Sequence, residues 1–210
     1  MVIVTSGWQH YKKLADQSIK SGDYADAESL WFAALQTVDF EGEADPRLPL
    51  TLDGLAYACS LLRKYADAER LYWEAIKIKE QYCGSESMET AASIKGLAAV
   101  YYDQGQFAEA EALGRRILKI IETVKGQGNE EFVDAAMNLA TLCAKQKKSD
   151  EAQLFYQRAL EASGVSGERP KISSPFGQNT NLKPTSVCSV CKRTYIGESC
   201  MLCTQSTMIK

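Results

Sequence analysis

The stretch RKYADAERLYWEAI, residues 63–76, is one of four copies of the same pattern in this chain. The other copies align with it without gaps and read GDYADAESLWFAAL (22–35), GQFAEAEALGRRIL (105–118) and KKSDEAQLFYQRAL (147–160). A Leu-Ala pair stands upstream of each copy, and successive pairs, which begin at Leu14, Leu55, Leu97 and Leu139, are 41, 42 and 42 residues apart. Such a period indicates an array of equivalent structural units stacked in a row.

Small side chains indicate how each unit folds. Alanine occupies equivalent positions of the two predicted helices in every unit: Ala15, Ala56, Ala98 and Ala140 in the first, and Ala27, Ala68, Ala110 and Ala152 in the second. Two facing alanines let the helices approach closely, because the side chains at a crossing set the distance between helix axes. Gly22 and Gly105 mark the turn between the helices, where a left-handed backbone suits glycine. Each unit is therefore predicted to be a helix–turn–helix hairpin that stacks on the next.

Aromatic residues supply bulk around the alanines of the second helix. Three of the second helices are predicted to begin at an aromatic residue: Tyr24, Tyr65 and Phe107. A second aromatic residue follows one turn beyond the alanine in three units: Trp31, Tyr72 and Tyr156. The third unit has Gly114 there instead, and Ile117 where the other units have alanine. We expect the volume of Ile117 to compensate for Gly114, since protein interiors are close-packed.

The pattern resembles the tetratricopeptide repeat over about three quarters of the chain. That repeat usually has about 34 residues. The longer period here, with long connections such as FEGEADPRLPLTLDGLA (40–56), is similar to the kinesin-light-chain subtype. The resemblance implies an all-α fold, an α-solenoid of four repeats within residues 1–163, at about 8–40, 48–82, 90–124 and 132–163.

The first helices of such a solenoid line its concave side, and in this family that groove binds an extended peptide. The resemblance therefore implies a protein–protein interaction adaptor. The groove positions carried over from the family are Lys12, Asp53, Tyr57, Lys95, Tyr102, Asn138, Thr141 and Lys145, with Asp16 beside them. Asn138 matches an asparagine that holds peptide backbone, because an amide both donates and accepts hydrogen bonds. The equivalent residues Gly54 and Gly96 lack that amide. The alternative, that Asn138 only bonds its own neighbours, stays open.

The chaperone-binding version of the fold holds a terminal carboxylate with lysine and asparagine side chains at set positions. Lys12 matches one of these positions, but Asp16 stands where the asparagine is needed. A carboxylate at that position would repel the carboxylate of the ligand, so this specialisation is not expected.

Residues suited to catalysis are scarce, and we predict that the protein is not an enzyme. His10 is the only histidine, and the sequence contains no Gly-rich phosphate loop, G-x-S-x-G element or H-E-x-x-H pair. Cys59 and Cys143 are expected to be small buried residues, and Cys83 a free thiol in a loop. Acidic residues of the repeats are expected to face solvent: Asp26, Glu28, Asp67, Glu69, Glu109 and Glu111.

The helical pattern stops after Ala162, and a different composition follows. Residues 164–186 contain three of the five prolines and few apolar residues, which predicts a flexible linker. Residues 187–206 contain the pattern C-x2-C-x8-C-x2-C, formed by Cys188, Cys191, Cys200 and Cys203. Four thiolates suit a closed, tetrahedral and structural Zn²⁺ site. The module is similar to a minimal zinc ribbon, and its core is so small that metal would supply the folding free energy, about 10–16 kcal/mol in comparable sites.

The sequence between the two cysteine pairs, KRTYIGES, has room for a short hairpin with Gly197 in its turn. Three other uses of the four cysteines remain open. Two disulfides fit the count but not a reducing compartment, and iron fits four thiolates as well as zinc does. A redox-active dithiol normally begins a helix in a βαβ unit, which the sequence does not contain.

Charge separates the two parts of the chain. Residues 1–163 carry 18 Lys and Arg against 25 Asp and Glu, whereas residues 164–210 carry 6 against 2. We recognise no secretory signal and no membrane span, and expect a cytoplasmic protein. The leading prediction is an adaptor that binds a protein or peptide in its groove, with the zinc module as a second contact. The alternatives are a nucleic-acid-associated regulator whose ribbon contacts DNA or RNA, and a thiol or zinc redox sensor.

Overall fold

Residues 4–38 and 45–164, with the short segments 186–187 and 194–195, are described by the structure, which is a computed structural model. Between residues 4 and 164 the described residues form eight α-helices in four consecutive pairs. These are α1 (Val4–Ser21) and α2 (Tyr24–Gln36), α3 (Arg47–Leu61) and α4 (Tyr65–Tyr82), α5 (Met88–Asp103) and α6 (Phe107–Lys125), and α7 (Glu130–Lys145) and α8 (Ser149–Ser163). No described helix is both long enough and apolar enough to cross a lipid bilayer.

Short polar side chains fix where several helices begin. The side chains of Asp23, Ser87 and Asn129 accept hydrogen bonds from backbone N–H groups in the first turns of α2, α5 and α7, at 3.1, 3.1 and 2.9 Å. Such caps satisfy donors that a helix start otherwise leaves without a partner. The second helices begin at Tyr24, Tyr65 and Phe107 as predicted, and at Ser149 in the last pair.

The helices pack in the order in which they occur in the chain. The two helices of each pair contact each other, and α2, α4 and α6 each contact the first helix of the following pair. The first helices α3 and α5 also contact each other. The predicted all-α solenoid of four stacked hairpins is confirmed.

The predicted alanine crossings are buried. Both alanines are fully buried in the first three hairpins, the residues concerned being Ala15, Ala27, Ala56, Ala68, Ala98 and Ala110. In the last hairpin Ala140 is buried, whereas Ala152 is only half-buried. That difference fits a terminal position, because no further hairpin stacks on α8 within residues 4–164.

An aromatic ring from one hairpin lies against a glycine of the next at two junctions. A Cβ atom added to Gly54 would lie 2.3 Å from the Trp31 ring, and one added to Gly96 would lie 2.4 Å from the Tyr72 ring. Both rings are buried, with 3% and 4% of their residue surface exposed. At these two junctions only glycine leaves room for the ring.

The third junction has the opposite arrangement. Gly114 on α6 takes the place of the aromatic residue, and Asn138 on α7 takes the place of the glycine. The space beside Gly114 is filled by the next hairpin, since an added Cβ would lie 3.0 Å from Leu139 Cδ2. Ile117 is buried, and the atoms nearest to an added Cβ at Gly114 belong to Leu139 and Leu142 of α7. The exchange of volume between positions 114 and 117 stays a prediction.

The four turns within the hairpins share one backbone conformation, although only two of them contain glycine. Gly22, Arg63, Gly105 and Lys147 occupy equivalent positions and have φ values of 84°, 60°, 75° and 61°. In each turn the following residue donates a backbone hydrogen bond of 2.9 Å to a carbonyl near the end of the first helix. A left-handed residue costs about 1–2 kcal/mol when it is not glycine.

We expect Arg63→Gly to raise the free energy of unfolding by up to about 1 kcal/mol, because glycine relieves the left-handed strain but adds freedom to the unfolded chain. Gly105→Ala should lower it by about 1 kcal/mol at the equivalent turn. Urea unfolding followed by circular dichroism measures both values. A loss of stability in Arg63→Gly would contradict the strain at that turn.

The C-terminal region is described only at two short strands. The strands β1 (Ser186–Val187) and β2 (Thr194–Tyr195) pair antiparallel, with Ser186 opposite Tyr195 and Val187 opposite Thr194. The chain divides into two units, Met1–Phe176 and Gly177–Lys210. Residues 165–185 of the predicted linker and the four cysteines of the C-terminal pattern lie outside the described residues.

Candidate functional site

The predicted groove residues all lie on the first helices of the hairpins. Lys12 lies on α1, Asp53 and Tyr57 on α3, Lys95 and Tyr102 on α5, and Asn138, Thr141 and Lys145 on α7. We call the surface that carries these eight residues the first-helix face. Some of their side chains are engaged within the protein, and others are available to a ligand.

Lys12 is engaged on its own helix. Its Nζ lies 2.7 Å from Asp16 Oδ2, and both side chains are 42% exposed. The same Nζ lies 6.0 Å from the centroid of the Trp31 ring. The charge of Lys12 is therefore largely neutralised by Asp16, the residue that argued against a carboxylate clamp.

Asp53 belongs to a buried ion pair rather than to an open surface. Its Oδ2 accepts hydrogen bonds from Lys79 Nζ at 2.5 Å and from Ser93 Oγ at 3.0 Å. The Lys79 side chain is only 6% exposed and that of Asp53 is 22% exposed. Burial raises the pKa of Asp53 above its ordinary value, against the lowering effect of Lys79. These contacts join α3 and α4 of the second hairpin to α5 of the third.

Sequence reasoning missed Lys79 and Ser93, although the repeat register contained a signal for the lysine. The residues equivalent to Lys79 in the first and third hairpins are Val38 and Ile121, which are both buried apolar side chains, and the fourth hairpin has Ser163 there. A lysine at a position that is a buried aliphatic residue in two other hairpins requires a counter-charge nearby, because an unpaired buried charge is costly.

Asn138 is half-buried, and its side chain makes no hydrogen bond to another described residue. It lies at the junction where Gly114 leaves out the aromatic ring. The alternative that Asn138 only bonds its neighbours is therefore not seen among the residues the structure describes. Lys95 and Lys145 are exposed and form no ion pair within the same residues.

The remaining three groove residues are half-buried. Thr141 Oγ1 donates to the backbone oxygen of Met137 at 3.0 Å. Tyr102 packs edge-to-face on Phe107, with 5.5 Å between ring centroids. Burial and then the neighbouring Tyr24 raise the pKa of Tyr57, which stays a neutral hydrogen-bonding phenol at physiological pH.

Glu28, Glu69 and Glu111 are predicted from the sequence to face solvent. In the structure each of them contacts the following hairpin, which is a correction. Glu28 Oε2 lies 2.7 Å from Lys64 Nζ, and Glu69 Oε1 accepts a hydrogen bond of 2.7 Å from Tyr101. Asp26, Asp67 and Glu109 are exposed as expected. The carboxylates at positions 28, 69 and 111 connect successive hairpins because they lie at the edge where the second helix meets the next unit.

Glu111 is buried, with 6% of its surface exposed. It accepts hydrogen bonds of 2.7 Å from each of Lys148, Arg115 and Gln146. Although burial alone would raise it, these hydrogen bonds hold the pKa of Glu111 below its ordinary value. Cys143 and Glu151 lie close enough to Glu111 to suggest a cation site. However, Arg115 and Lys148 already neutralise the carboxylates, so the cluster is an ion-pair network.

The two cysteines of the described helices, Cys59 and Cys143, lie in surroundings that keep their thiols protonated. Cys59 and Cys143 are buried as predicted. Burial, followed by the charge of Glu28, raises the pKa of the Cys59 thiol to about 12, and burial also raises the pKa of Cys143. Thiolates are the nucleophilic form of cysteine, so neither residue is suited to catalysis. Cys83 is an exposed free thiol and His10 is an exposed residue of α1.

The strands of the C-terminal unit are placed around the first predicted metal-ligand pair. Cys188 follows β1 directly, and Cys191 precedes β2 by three residues, so both fall in the six residues that join the strands. Residues 192–199, which are predicted to form a hairpin, contain β2. The described partner of β2 is β1, which precedes Cys188 in the sequence.

Comparison with known proteins gives one family and several similar structures. The tetratricopeptide repeat profile matches residues 48–123 and 87–163, which together are more than half of the chain. The solved structure of BtubC (BKLC) from P. vanneervenii is 25% identical, with a TM-score of 0.67 over 77% of this chain and 65% of that chain. This chain therefore spans slightly less than two thirds of BtubC.

Two further structures share the fold. A putative kinesin light chain from Podospora anserina with nearly identical TPR-like repeats is 20% identical, with a TM-score of 0.69 over 81% of this chain and 82% of that chain. MamA is 18% identical, with a TM-score of 0.57 over 75% of this chain and 78% of that chain. A comparison with curated proteins gives no match.

Proposed function

Because the chain belongs to the tetratricopeptide repeat family, we propose that it is a non-enzymatic adaptor whose first-helix face binds an extended peptide of a protein partner. Repeats of this family generally mediate protein–protein interaction. The observation that carries the proposal is the side chain of Asn138, which is half-buried and makes no hydrogen bond to the described residues. This amide is only half-buried, so it is free to form hydrogen bonds with a ligand.

The surroundings of Asn138 support a peptide as that ligand. An amide can accept from a peptide N–H and donate to a peptide C=O at the same time. Lys145 lies on the same helix and Lys95 on the neighbouring first helix, and both are exposed and unpaired within residues 4–164. These two ammonium groups can pair with carboxylates of the same peptide, whereas Lys12 and Asp53 are occupied within the protein.

We expect Asn138→Ala to weaken peptide binding about tenfold, since one or two hydrogen bonds to backbone are lost. The test selects peptides from a random 12-residue display library on the full chain and measures their dissociation constants by fluorescence anisotropy. Lys119→Ala is the control, because Lys119 is an exposed residue of α6 away from α7. Selected peptides that bind Asn138→Ala, Lys95→Ala and Lys145→Ala as tightly as the unaltered chain would contradict the proposal.

A second part of the proposal concerns the C-terminal cysteines. Cys188, Cys191, Cys200 and Cys203 would hold one structural Zn²⁺, because four thiolates are a closed ligand set for that ion. The antiparallel pairing of β1 and β2 supports it by enclosing the first cysteine pair in a six-residue connection. Zinc would contribute folding free energy to a unit with few apolar residues, and the folded unit would be a second contact for the partner.

We expect one zinc per chain in protein purified under reducing conditions, as measured by elemental analysis together with a thiol count. Cys200→Ser should lose the metal, since a structural site needs all four ligands. Cys83→Ser and Cys143→Ser are controls and should keep it, because Cys83 directly follows α4 and Cys143 lies on α7, both outside the cluster. Iron in place of zinc, or zinc retained by Cys200→Ser, would refute the assignment.

A further inference from the structure

A second concave surface lies at the first junction, between the second helices α2 and α4. It has a volume of about 650 Å³, with helix α3 as its floor. We call it the second-helix groove, lined by the apolar side chains Phe32, Leu35, Leu48, Leu52 and Leu71. Phe32 is 54% exposed at its edge. None of these residues belongs to the first-helix face.

Arginine side chains bridge the second helices at the other two junctions. Arg116 on α6 lies 2.5 Å from Glu80 on α4, and Arg158 on α8 lies 3.1 Å from Glu122 on α6. The residue equivalent to Arg116 and Arg158 in the second hairpin is Glu74 on α4. At the first junction the carboxylate of Glu74 therefore stands where an arginine joins the second helices at the other two junctions.

The charges around the second-helix groove leave a negative excess. Glu28, Asp67 and Glu74 line it, together with one cation, Arg70. Glu28 is neutralised by Lys64 at 2.7 Å, and Asp67 lies 3.6 Å from Arg70. Glu74 is exposed and forms no ion pair with any residue in 4–38 or 45–164. The groove thus combines an apolar floor with an unpaired carboxylate.

We propose that the second-helix groove binds a segment of a partner protein in which a large apolar side chain stands beside an arginine. The apolar side chain packs against Phe32, Leu48 and Leu71, and removes their apolar surface from water. The guanidinium group pairs with Glu74 and takes the place of the bridging arginine that this junction lacks. Bidentate pairing favours arginine over lysine for this role. The acidic edge disfavours nucleic acid, whose phosphates it would repel.

The site is distinct from the proposed peptide groove, because the two surfaces share no residue, although α3 contributes side chains to both. One partner protein could contact both faces of the solenoid, or two partners could bind at once. The inference therefore extends the proposed function without resting on Asn138.

The experiment uses the full chain and an array of ten-residue peptides in which Leu, Phe or Trp stands one to four positions from an arginine. Twin peptides carry Glu for Arg, or Ser for the apolar residue. We expect a subset of the arginine peptides to bind and both twins of that subset to bind at least tenfold more weakly. Phe32→Ser and Glu74→Arg should each weaken binding at least tenfold, whereas Asn138→Ala should leave it unchanged.

Matched controls separate the groove from general surface effects. Leu154→Ser removes an equally exposed apolar residue on α8, and Glu109→Arg reverses an exposed charge on α6; neither should alter binding. Thermal unfolding of each variant checks that it folds. The proposal is overturned if no arginine peptide binds, if the glutamate twins bind equally well, or if both groove variants bind like the controls. It is also overturned if the chain forms a dimer in solution that Glu74→Arg dissociates, since the groove would then be an interface between two copies.

Discussion

Lys79→Met is expected to lower the free energy of unfolding at pH 7 by about 3–5 kcal/mol, because it leaves the carboxylate of Asp53 buried without its counter-charge. Lys79 Nζ lies 2.5 Å from Asp53 Oδ2 and 2.8 Å from Ser93 Oγ. Methionine has nearly the same length, so the loss reports the charge more than the packing. Urea unfolding followed by circular dichroism measures it.

The dependence on pH identifies the cause. Without Lys79 the pKa of Asp53 rises further above its value in the unfolded chain, so the folded state binds a proton more readily. When the pKa of a carboxyl group is higher in the folded than in the unfolded state, the free energy of unfolding falls as pH rises through the folded-state pKa. The loss of stability caused by the unpaired Asp53 carboxylate therefore becomes smaller as pH falls. The difference between Lys79→Met and the unaltered protein should therefore be smaller at pH 5 than at pH 7.

Two variants serve as controls. Lys119→Met removes an exposed ion pair with Glu86, and should cost no more than about 1 kcal/mol. The double variant Asp53→Asn with Lys79→Met should recover most of the stability, since no unpaired charge remains. If Lys79→Met lowers the free energy of unfolding no more than Lys119→Met does, the Lys79–Asp53 ion pair does not stabilise the fold.

Trp31→Ala is expected to cost about 3–5 kcal/mol, because it empties the space between the first and second hairpins. Gly54→Ala should cost about 1–3 kcal/mol from the other side of the same contact, since the added Cβ meets the Trp31 ring at 2.3 Å. The losses should not add, because removal of the ring also removes the clash, and the double variant should be more stable than the sum predicts by about 0.5–3 kcal/mol.

Gly7→Ala is the matched control for Gly54→Ala. Gly7 also lies in a helix, but among the described residues an added Cβ would meet only Thr37, at 3.9 Å. Alanine favours a helix over glycine by about 1 kcal/mol, so Gly7→Ala should be neutral or stabilising. Equal stability changes for the two glycine substitutions would mean that the ring does not restrict residue 54.

The sequence is sufficient to predict the hairpins, their alanine crossings and the starts of the second helices, because these features recur every 41 or 42 residues. It is less informative where the copies differ. Arg63 and Lys147 adopt the left-handed turn without glycine, since the neighbouring hydrogen bonds determine the backbone there. Periodicity alone gave no signal for these two residues.

Contacts between hairpins were also beyond prediction from one sequence. Asp53, Lys79 and Ser93 are separated by up to 40 residues, and their meeting depends on how α3, α4 and α5 stack. Glu111 resembles its solvent-facing neighbours in sequence but is buried by Gln146 and Lys148 of the next hairpin. The predicted groove residues lie on the first helices, as the repeat register indicates, yet only the structure distinguishes the occupied Asp53 from the unpartnered Asn138.

The ring-and-glycine contacts also bear on how a chain of four similar hairpins avoids misassembly. A hairpin that carries Trp31 or Tyr72 can be followed only by one with glycine at the opposing position, because any side chain there collides with the ring. The last hairpin, with Asn138 at that position, is therefore a poor successor to the first two and fits behind Gly114. The contacts thus disfavour folding errors in which the last hairpin stacks on the first or second, although they do not distinguish the second hairpin from the third.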